Sequence, residues 1–153
     1  MRVKRSDKVL LFSSDKQLKL HLSERYKVVP PESNRLPLFI ILDAVSRYQH
    51  LDVFSLLTYM FGYLYFKLGE YARHKQHCYL VVLMKPRVLK ISLLEKRLVN
   101  PLSRLFKTKR FIRQTSVQSV RSLSQLISHL GDYYNDKGSY KVAIYRIGGF
   151  HER

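Results

Sequence analysis

The chain has 153 residues, of which 28 are Lys or Arg and 11 are Asp or Glu, so its formal net charge is +17. Its apolar content of 46% excludes disorder as the default, and its length predicts one domain with a hydrophobic core. The single cysteine excludes an intramolecular disulfide, and with it a small disulfide-stabilised secreted scaffold. The surplus of cations favours a polyanionic partner: nucleic acid first, because neutralised phosphates release counterions, and an anionic membrane second.

Residues 1–36 are predicted to be an N-terminal extension with short strands. Residues 9–12 and 26–29 have the composition of strands, and a pair of prolines ends the second one. Between them, residues 13–15 can cap a short helix. The apolar run in this region is brief and has no small-residue cleavage site after it, so we do not expect a signal peptide.

Residues 37–147 are predicted to form an α+β core. Residues 37–42 are a short apolar run that suits a buried strand, and Asp43 follows where a helix N-cap belongs. A single helix over residues 44–75, or two helices that meet near His50, is expected next.

Residues 53–66, inside this predicted helix, carry no charge. A membrane-spanning helix needs about 20 apolar residues, so the run is too short to cross a bilayer. Its aromatic side chains either pack in the core, which we favour, or meet a partner. Gly62 within the run would allow close approach by a neighbouring element.

The stretch over residues 85–113 carries the functional prediction. It follows a predicted buried strand at residues 78–84, and its only acid is Glu95. Its leucines recur at helical spacing, which predicts an apolar stripe against the core and a positive outer face. Because a merely solvated face normally mixes both signs, this surplus predicts an anionic partner, and structured RNA fits best. The predicted RNA-binding residues are the ten cations of the stretch: Lys85, Arg87, Lys90, Lys96, Arg97, Arg104, Lys107, Lys109, Arg110 and Arg113.

Two local sequence signals predict where helices begin within residues 85–113. Ser92 and Glu95 have the spacing of a capping box, with Ser92 as the cap. Asn100 and Pro101 would restart a helix, since asparagine suits the cap and proline the first helical position. We therefore expect a kink or two short helices over residues 93–109.

The last third of the chain predicts one helix and one strand. Residues 115–130 have an amphipathic pattern closed by Gly131, and residues 140–147 alternate as in a strand. Residues 148–153 are predicted to be a tail. Together these elements predict an α+β fold in which a small sheet packs with two or three helices, and basic termini can extend from it.

No sequence pattern for catalysis is present. The chain has no P-loop, no Gly-rich dinucleotide fingerprint and no nucleophile elbow, and its acids are scattered, so we predict neither an enzyme nor a cofactor. His74, His77 and Cys78 are close in sequence, but no second cluster completes a metal site, and we predict no metal. A nuclease is disfavoured because clustered carboxylates are lacking, and a DNA-binding regulator because residues 115–130 offer few base-reading side chains.

Two segments resemble a ribosomal protein family. Residues 51–58, LDVFSLLT, resemble the opening helix of the bacterial-type small-subunit ribosomal protein eight family. Residues 96–112, KRLVNPLSRLFKTKRFI, resemble its second helix, and residues 134–147 loosely match the strand pair that follows. The family's Ser- and Gly-rich C-terminal RNA-binding loop has no counterpart here, so the resemblance transfers no binding residue.

This resemblance, together with a small, basic, tryptophan-free composition, implies a divergent mitochondrial ribosomal protein. The expected function is structural binding of ribosomal RNA, with neighbouring ribosomal proteins as further partners and with no small-molecule substrate or membrane. The start of the chain fits a mitochondrial presequence poorly, so either targeting was already removed or the protein is made where it works. The alternative is a viral or peripheral-membrane protein that binds anionic lipid or packages nucleic acid, which residues 53–66 support best.

Overall fold

A six-stranded mixed sheet is the centre of the molecule. The computed structural model describes residues 8–33, 36–45, 50–85, 91–105, 112–135 and 140–148. The strands are β1 (Lys8–Phe12), β2 (Lys27–Val28), β3 (Phe39–Ala44), β4 (Cys78–Met84), β5 (Ile112–Gln114) and β6 (Lys141–Ile147). Their order across the sheet is β2-β1-β3-β4-β6-β5. Strands β1 to β4 are parallel, and β6 runs antiparallel to both β4 and β5.

Helices connect the strands and cover the sheet. They are α1 (Lys16–Ser23), α2 (His50–Arg73), α3 (Ile91–Leu94), α4 (Asn100–Leu105) and α5 (Arg121–Tyr134). A π-helical turn, Glu95–Val99, joins α3 to α4, and a short 3-10 turn, Val117–Ser119, precedes α5. The predicted α+β class, with helices packed on a sheet, is confirmed.

Both faces of the sheet are buried, because the side chains of each strand alternate between two hydrophobic clusters. On one face, Leu10 and Ile40 pack with the inner sides of α2 and of residues 91–105. On the other, Val9 and Ile41 pack with α1 and α5. We call these the α2 face and the α5 face. Strands β3 and β4 are buried along their whole length, as expected for central parallel strands between two helical layers.

The N-terminal residues supply two strands and a helix of this fold. Strand β1 lies between β2 and β3 and pairs with both, so the predicted boundary at residues 36 and 37 falls within one continuous sheet. The predicted helix cap is confirmed, since Asp15 Oδ1 accepts hydrogen bonds from the backbone N–H groups of Gln17 and Leu18. Of the predicted tail, only Gly148 is among the described residues.

The prediction that Asp43 caps the following helix is wrong. Asp43 lies in β3, which continues to Ala44, and α2 begins at His50 as one helix that ends at Arg73. The strand can include a carboxylate because distant hydroxyl groups from Ser13 and Tyr134 donate to it. The local sequence pattern cannot reveal these distant partners, so an aspartate that follows an apolar run is interpreted as a helix cap.

Helix α2 ends in a Schellman motif that has a lysine at its left-handed position. Lys75 has a φ of 53°, a conformation that glycine adopts more readily. The N–H of Gln76 donates to the carbonyl of Tyr71, and the N–H of Lys75 donates to that of Ala72. This turn directs the chain from α2 into the central strand β4.

Candidate nucleic-acid interface

Residues 91–105 form one helical segment with a π-turn in the middle. In the π-turn, the N–H of Asn100 donates to the carbonyl of Glu95, five residues earlier. Pro101 has no N–H, and in a regular helix its ring would crowd the carbonyl of Arg97. The wider turn leaves room for the ring. Of the two expected alternatives, a kink or two short helices, the structure has two short helices, α3 and α4, which this turn joins. The segment begins before Ser92, which therefore lies inside α3 rather than at its cap.

The segment separates apolar from charged side chains. Leu94, Leu98 and Leu102 are fully buried on the α2 face of the sheet. Lys96, Arg97 and Arg104 are exposed on the outer side, and we call these three residues the basic ridge. The predicted apolar stripe and positive outer face of this segment are therefore confirmed for the residues described.

The single acid of the stretch faces the sheet and leaves the ridge positive. Glu95 Oε1 accepts a hydrogen bond of 3.3 Å from the hydroxyl of Tyr145 on β6. Burial, reinforced by the charge of Glu95, raises the pKa of Tyr145 to about 12. Lys96 and Arg104 form no salt bridge with any described carboxylate. A surface of this kind attracts anions.

The other predicted RNA-binding residues are distributed differently. Lys85 follows β4 and is half-buried, and Arg113 is exposed on the edge strand β5. The remaining five lie outside the described residues: Arg87, Lys90, Lys107, Lys109 and Arg110.

Arg113 lies on the opposite side of the sheet from the basic ridge. It is opposite Arg146 in the β5–β6 register, and Arg146 is opposite Tyr79 in the β4–β6 register. Cross-strand partners share a face, and Tyr79 belongs to the α5 face. The structure thus brings Lys96, Arg97 and Arg104 together and places Arg113 in a separate pair of arginines.

The aromatic run on α2 is partly core and partly surface. Leu57, Met60 and Leu64 are buried against the sheet, whereas Tyr59, Tyr65 and Phe66 are among the most exposed large apolar side chains described. The sequence prediction left open whether this run was core or interface, and the structure shows that one side of the helix is buried and the other is exposed.

The sequence prediction missed a polar network at the carboxyl ends of β1 and β3. The buried Asp43 accepts hydrogen bonds from Ser13 Oγ at 2.6 Å, from Tyr134 Oη at 3.1 Å and from the N–H of Val45 at 3.0 Å. Asp15 Oδ2 accepts another, of 2.5 Å, from Tyr133 Oη. Burial and the adjacent Asp43 raise the pKa of Tyr134.

This network lies where open parallel sheets commonly bind ligands. However, all four oxygens of Asp15 and Asp43 accept hydrogen bonds from donors of the protein itself. The two carboxylates therefore link β1, β3 and α5, and the geometry assigns them a structural role. Serine and aspartate directly after an apolar strand were the sequence signal for it.

A pair of histidines joins α1 to α5. His21 Nε2 donates to the carbonyl of His129 at 2.6 Å, and His129 Nε2 donates to that of His21 at 2.7 Å. Ligand atoms of both rings and of Glu24 lie within 4.8 Å of one another. The rings are stacked, with centroids 4.0 Å apart and planes 12° from parallel. One metal ion cannot lie in both ring planes at once, so this geometry fits an interhelical contact and not a shared metal.

The histidines considered from the sequence do not assemble into a ligand cluster within the described part of the chain. His74 is exposed, the ring of His77 packs edge-on against Tyr79, and Cys78 is buried in β4. None of the three belongs to a described group of metal-ligating side chains.

No described helix has both the length and the apolar character needed to cross a bilayer. Comparisons of the chain with protein-family models, with curated proteins and with solved structures found no match.

Proposed function

We propose that this protein binds structured RNA through the basic ridge of Lys96, Arg97 and Arg104. The observation that carries the proposal is the segregation of the segment, with its leucines fully buried and its cations on the outer side. The lone acid bonds to Tyr145 and does not lie among these cations. A net charge of +17 adds a long-range attraction for any polyanion.

A finer proposal is that the RNA is ribosomal and that the protein is a structural constituent of a mitochondrial ribosome. Its support is the resemblance of residues 51–58 and 96–112 to a ribosomal protein family, together with the basic composition. Neighbouring ribosomal proteins would then be further partners. Sedimentation of native extract tests this: the protein should co-migrate with a ribosomal subunit in moderate salt, and migration at the top of the gradient would contradict it.

The direct test is RNA binding measured as a function of salt. If six to ten phosphates are neutralised, affinity should fall roughly 10³- to 10⁵-fold between about 50 and 200 mM salt. Changing Lys96, Arg97 and Arg104 to Gln should reduce the slope of log affinity against log salt by about 2 to 3.

The matched control changes three exposed cations elsewhere, Arg25, Lys27 and Arg121, to Gln. Both triple variants lose the same charge, so a purely non-specific attraction would lower their affinities equally. Equal losses, or an affinity that does not depend on salt, would contradict the proposal.

A second candidate function is peripheral binding to an anionic membrane. The exposed aromatics Tyr59, Tyr65 and Phe66 favour it, because aromatic side chains beside cations suit the headgroup region. Flotation with vesicles that contain or lack anionic lipid separates the two candidates. RNA binding predicts that the protein stays with RNA when both are present, and co-flotation with anionic vesicles in that mixture supports the membrane candidate.

A further inference from the structure

Helix α2 carries an apolar groove on its exposed side, next to the end of β1. Tyr59, Gly62, Tyr63 and Phe66 line it, with Pro31 at its rim, and its volume is about 480 Å³. Tyr59 and Phe66 are 59% and 77% exposed, so these two rings contribute a large apolar area to the surface. An apolar area of this kind on a soluble protein indicates an interaction site.

Gly62 leaves the centre of the groove open. A Cβ added at this position would meet no atom within 4 Å. Tyr59 and Tyr63 are positioned by edge-on contacts with Phe12 at the end of β1. The floor is therefore low and two of the walls are held by the core, which is the shape needed to accept a protruding side chain from a partner.

Among the described residues, one cation lines the groove and others line the concavities beside it. Lys67 lies on the rim, where it pairs with Glu70. A second concavity, of about 390 Å³, shares Thr58 with the groove and includes Arg97. A third, of about 430 Å³, shares Pro31 with the groove and is lined by Lys16 and Lys19 together with Asp15. An apolar groove beside such cations, on a chain of net charge +17, is complementary to a segment that has an apolar face and acidic residues next to it.

We propose that this groove docks an acidic amphipathic helix of a partner protein. Leucine or phenylalanine side chains of that helix would fill the space above Gly62, and its carboxylates would approach Arg97 in the adjoining concavity. The proposal goes beyond RNA binding, because the groove is on α2 and the ridge is on residues 91–105, and Arg97 of the ridge lines only the adjoining concavity.

Three other occupants fit less well. A second copy of the chain would bring two molecules of charge +17 together. RNA bases can stack on aromatic rings, but such a site also needs a positive groove along the nucleic-acid backbone, and Lys67, the described cation that lines this groove, is paired with Glu70. A membrane is met by a convex apolar surface, whereas Gly62 makes this one concave.

The test uses the full-length protein and a defined probe. The probe is a peptide of about 15 residues, enough to span the groove, with leucines and a phenylalanine on one helical face and glutamates on the other. Fluorescence anisotropy at about 150 mM salt, where long-range charge effects are screened, gives its affinity. A peptide of the same composition in scrambled order is the reference, and it should bind at least about tenfold more weakly.

Gly62→Leu is the decisive variant. The added side chain enters open space, so the protein should fold and its melting temperature should be unchanged or higher. Peptide affinity should fall at least about tenfold, because the side chain occupies the groove. Gly69→Leu controls for helix propensity, since a Cβ at Gly69 also meets nothing within 4 Å and Gly69 does not line the groove.

A pair of aromatic variants gives independent evidence. Phe66→Ala removes a wall of the groove, and Tyr65→Ala removes an exposed ring of the same helix that does not line it. The first should weaken peptide binding roughly tenfold and the second by less than about twofold. Equal binding of the scrambled peptide, or full affinity in Gly62→Leu, would overturn the proposal. So would a finding that Phe66→Ala lowers affinity for a single-stranded RNA or for anionic vesicles instead.

Discussion

Helix α2 and the segment 91–105 cover the same face of the sheet, yet their outer surfaces differ in kind. Both bury aliphatic side chains inward, Leu64 on α2 and Leu98 on the segment. On the outside, α2 exposes Tyr59 and Phe66, whereas the segment exposes the basic ridge. Packing against the core constrains only the residues on the inner side of each helix. The outer sides can therefore serve the two partners proposed above, which are RNA at the basic ridge and the apolar face of a partner helix at the groove.

The largest expected effects come from the inner sides, where the two regions should behave alike. Leu98→Ala and Leu64→Ala should each lower the free energy of unfolding by about 3 kcal/mol, because both side chains are fully buried. Arg104→Ala and Phe66→Ala, on the outer sides, should change it by less than about 1 kcal/mol. Urea unfolding monitored by circular dichroism measures all four. A large loss of unfolding free energy from an outer substitution would mean that the outer side of that helix also stabilises the fold.

Substitutions on the outer sides of the two regions should differ in their effect on RNA affinity. Changing Lys96, Arg97 and Arg104 to Gln removes three phosphate contacts and should lower affinity roughly 50- to 150-fold at about 150 mM salt. Phe66→Ala should leave that affinity within about twofold. Filter binding with a structured RNA fragment compares the variants. If Phe66→Ala were as damaging as the triple change, the RNA would be contacting α2 as well.

Alkaline pH probes the contact that keeps Glu95 away from the ridge. The pKa of Tyr145 is raised from 10.0 to about 12 in the folded protein, so the unfolded chain releases this proton first. The stabilisation is complete below pH 10 and is lost as the pH rises through about 12.

Tyr145→Phe should therefore cost about 1 kcal/mol of unfolding free energy at neutral pH. This difference from the natural protein should shrink above pH 10 and reverse in sign before pH 12, because the phenylalanine variant has no hydroxyl proton to release. Urea unfolding at several pH values measures this difference. A difference that stays constant with pH would show that Tyr145 contributes through packing alone.

The smallest expected effect concerns the end of α2. Lys75 has a left-handed φ of 53°, so Lys75→Gly relieves steric strain and should raise stability by about 0.5–1 kcal/mol. Arg73→Gly, two residues earlier and inside the helix, should lower stability by a similar amount. Thermal unfolding of both variants measures whether their stabilities change in opposite directions. A loss of stability in both would mean that the left-handed conformation of Lys75 is not strained.

The sequence predicted the parts of this molecule that depend on near neighbours. Strand β4 and the buried stripe of Leu94, Leu98 and Leu102 follow from local periodicity, and the structure has both. Helix α5 exists, but its predicted bounds are wrong, since it spans Arg121–Tyr134 and continues through Gly131 instead of ending there. The exposure of the basic ridge could be predicted in the same way, because a helix that buries one side must present the other.

Long-range partners explain what the sequence did not predict. Ser13 and Tyr134, which stabilise Asp43 within β3, lie 30 and 91 residues from it in the chain. The groove on α2 depends on Phe12 and Pro31, which no periodicity of α2 can reveal. Likewise, the inward orientation of Glu95 required knowledge of where β6 lies.

The reciprocal contact between His21 and His129 spans 108 residues of the chain. During synthesis, at about 5–20 residues per second, α1 must therefore wait roughly 5–20 s for the helix that covers it. Leu18 and Leu22, which lie fully buried in one hydrophobic cluster with residues of α5, lack that part of their covering on the nascent polypeptide throughout this interval. Helix α1 is thus completely shielded from water only late in synthesis, and chaperones have time to act on it.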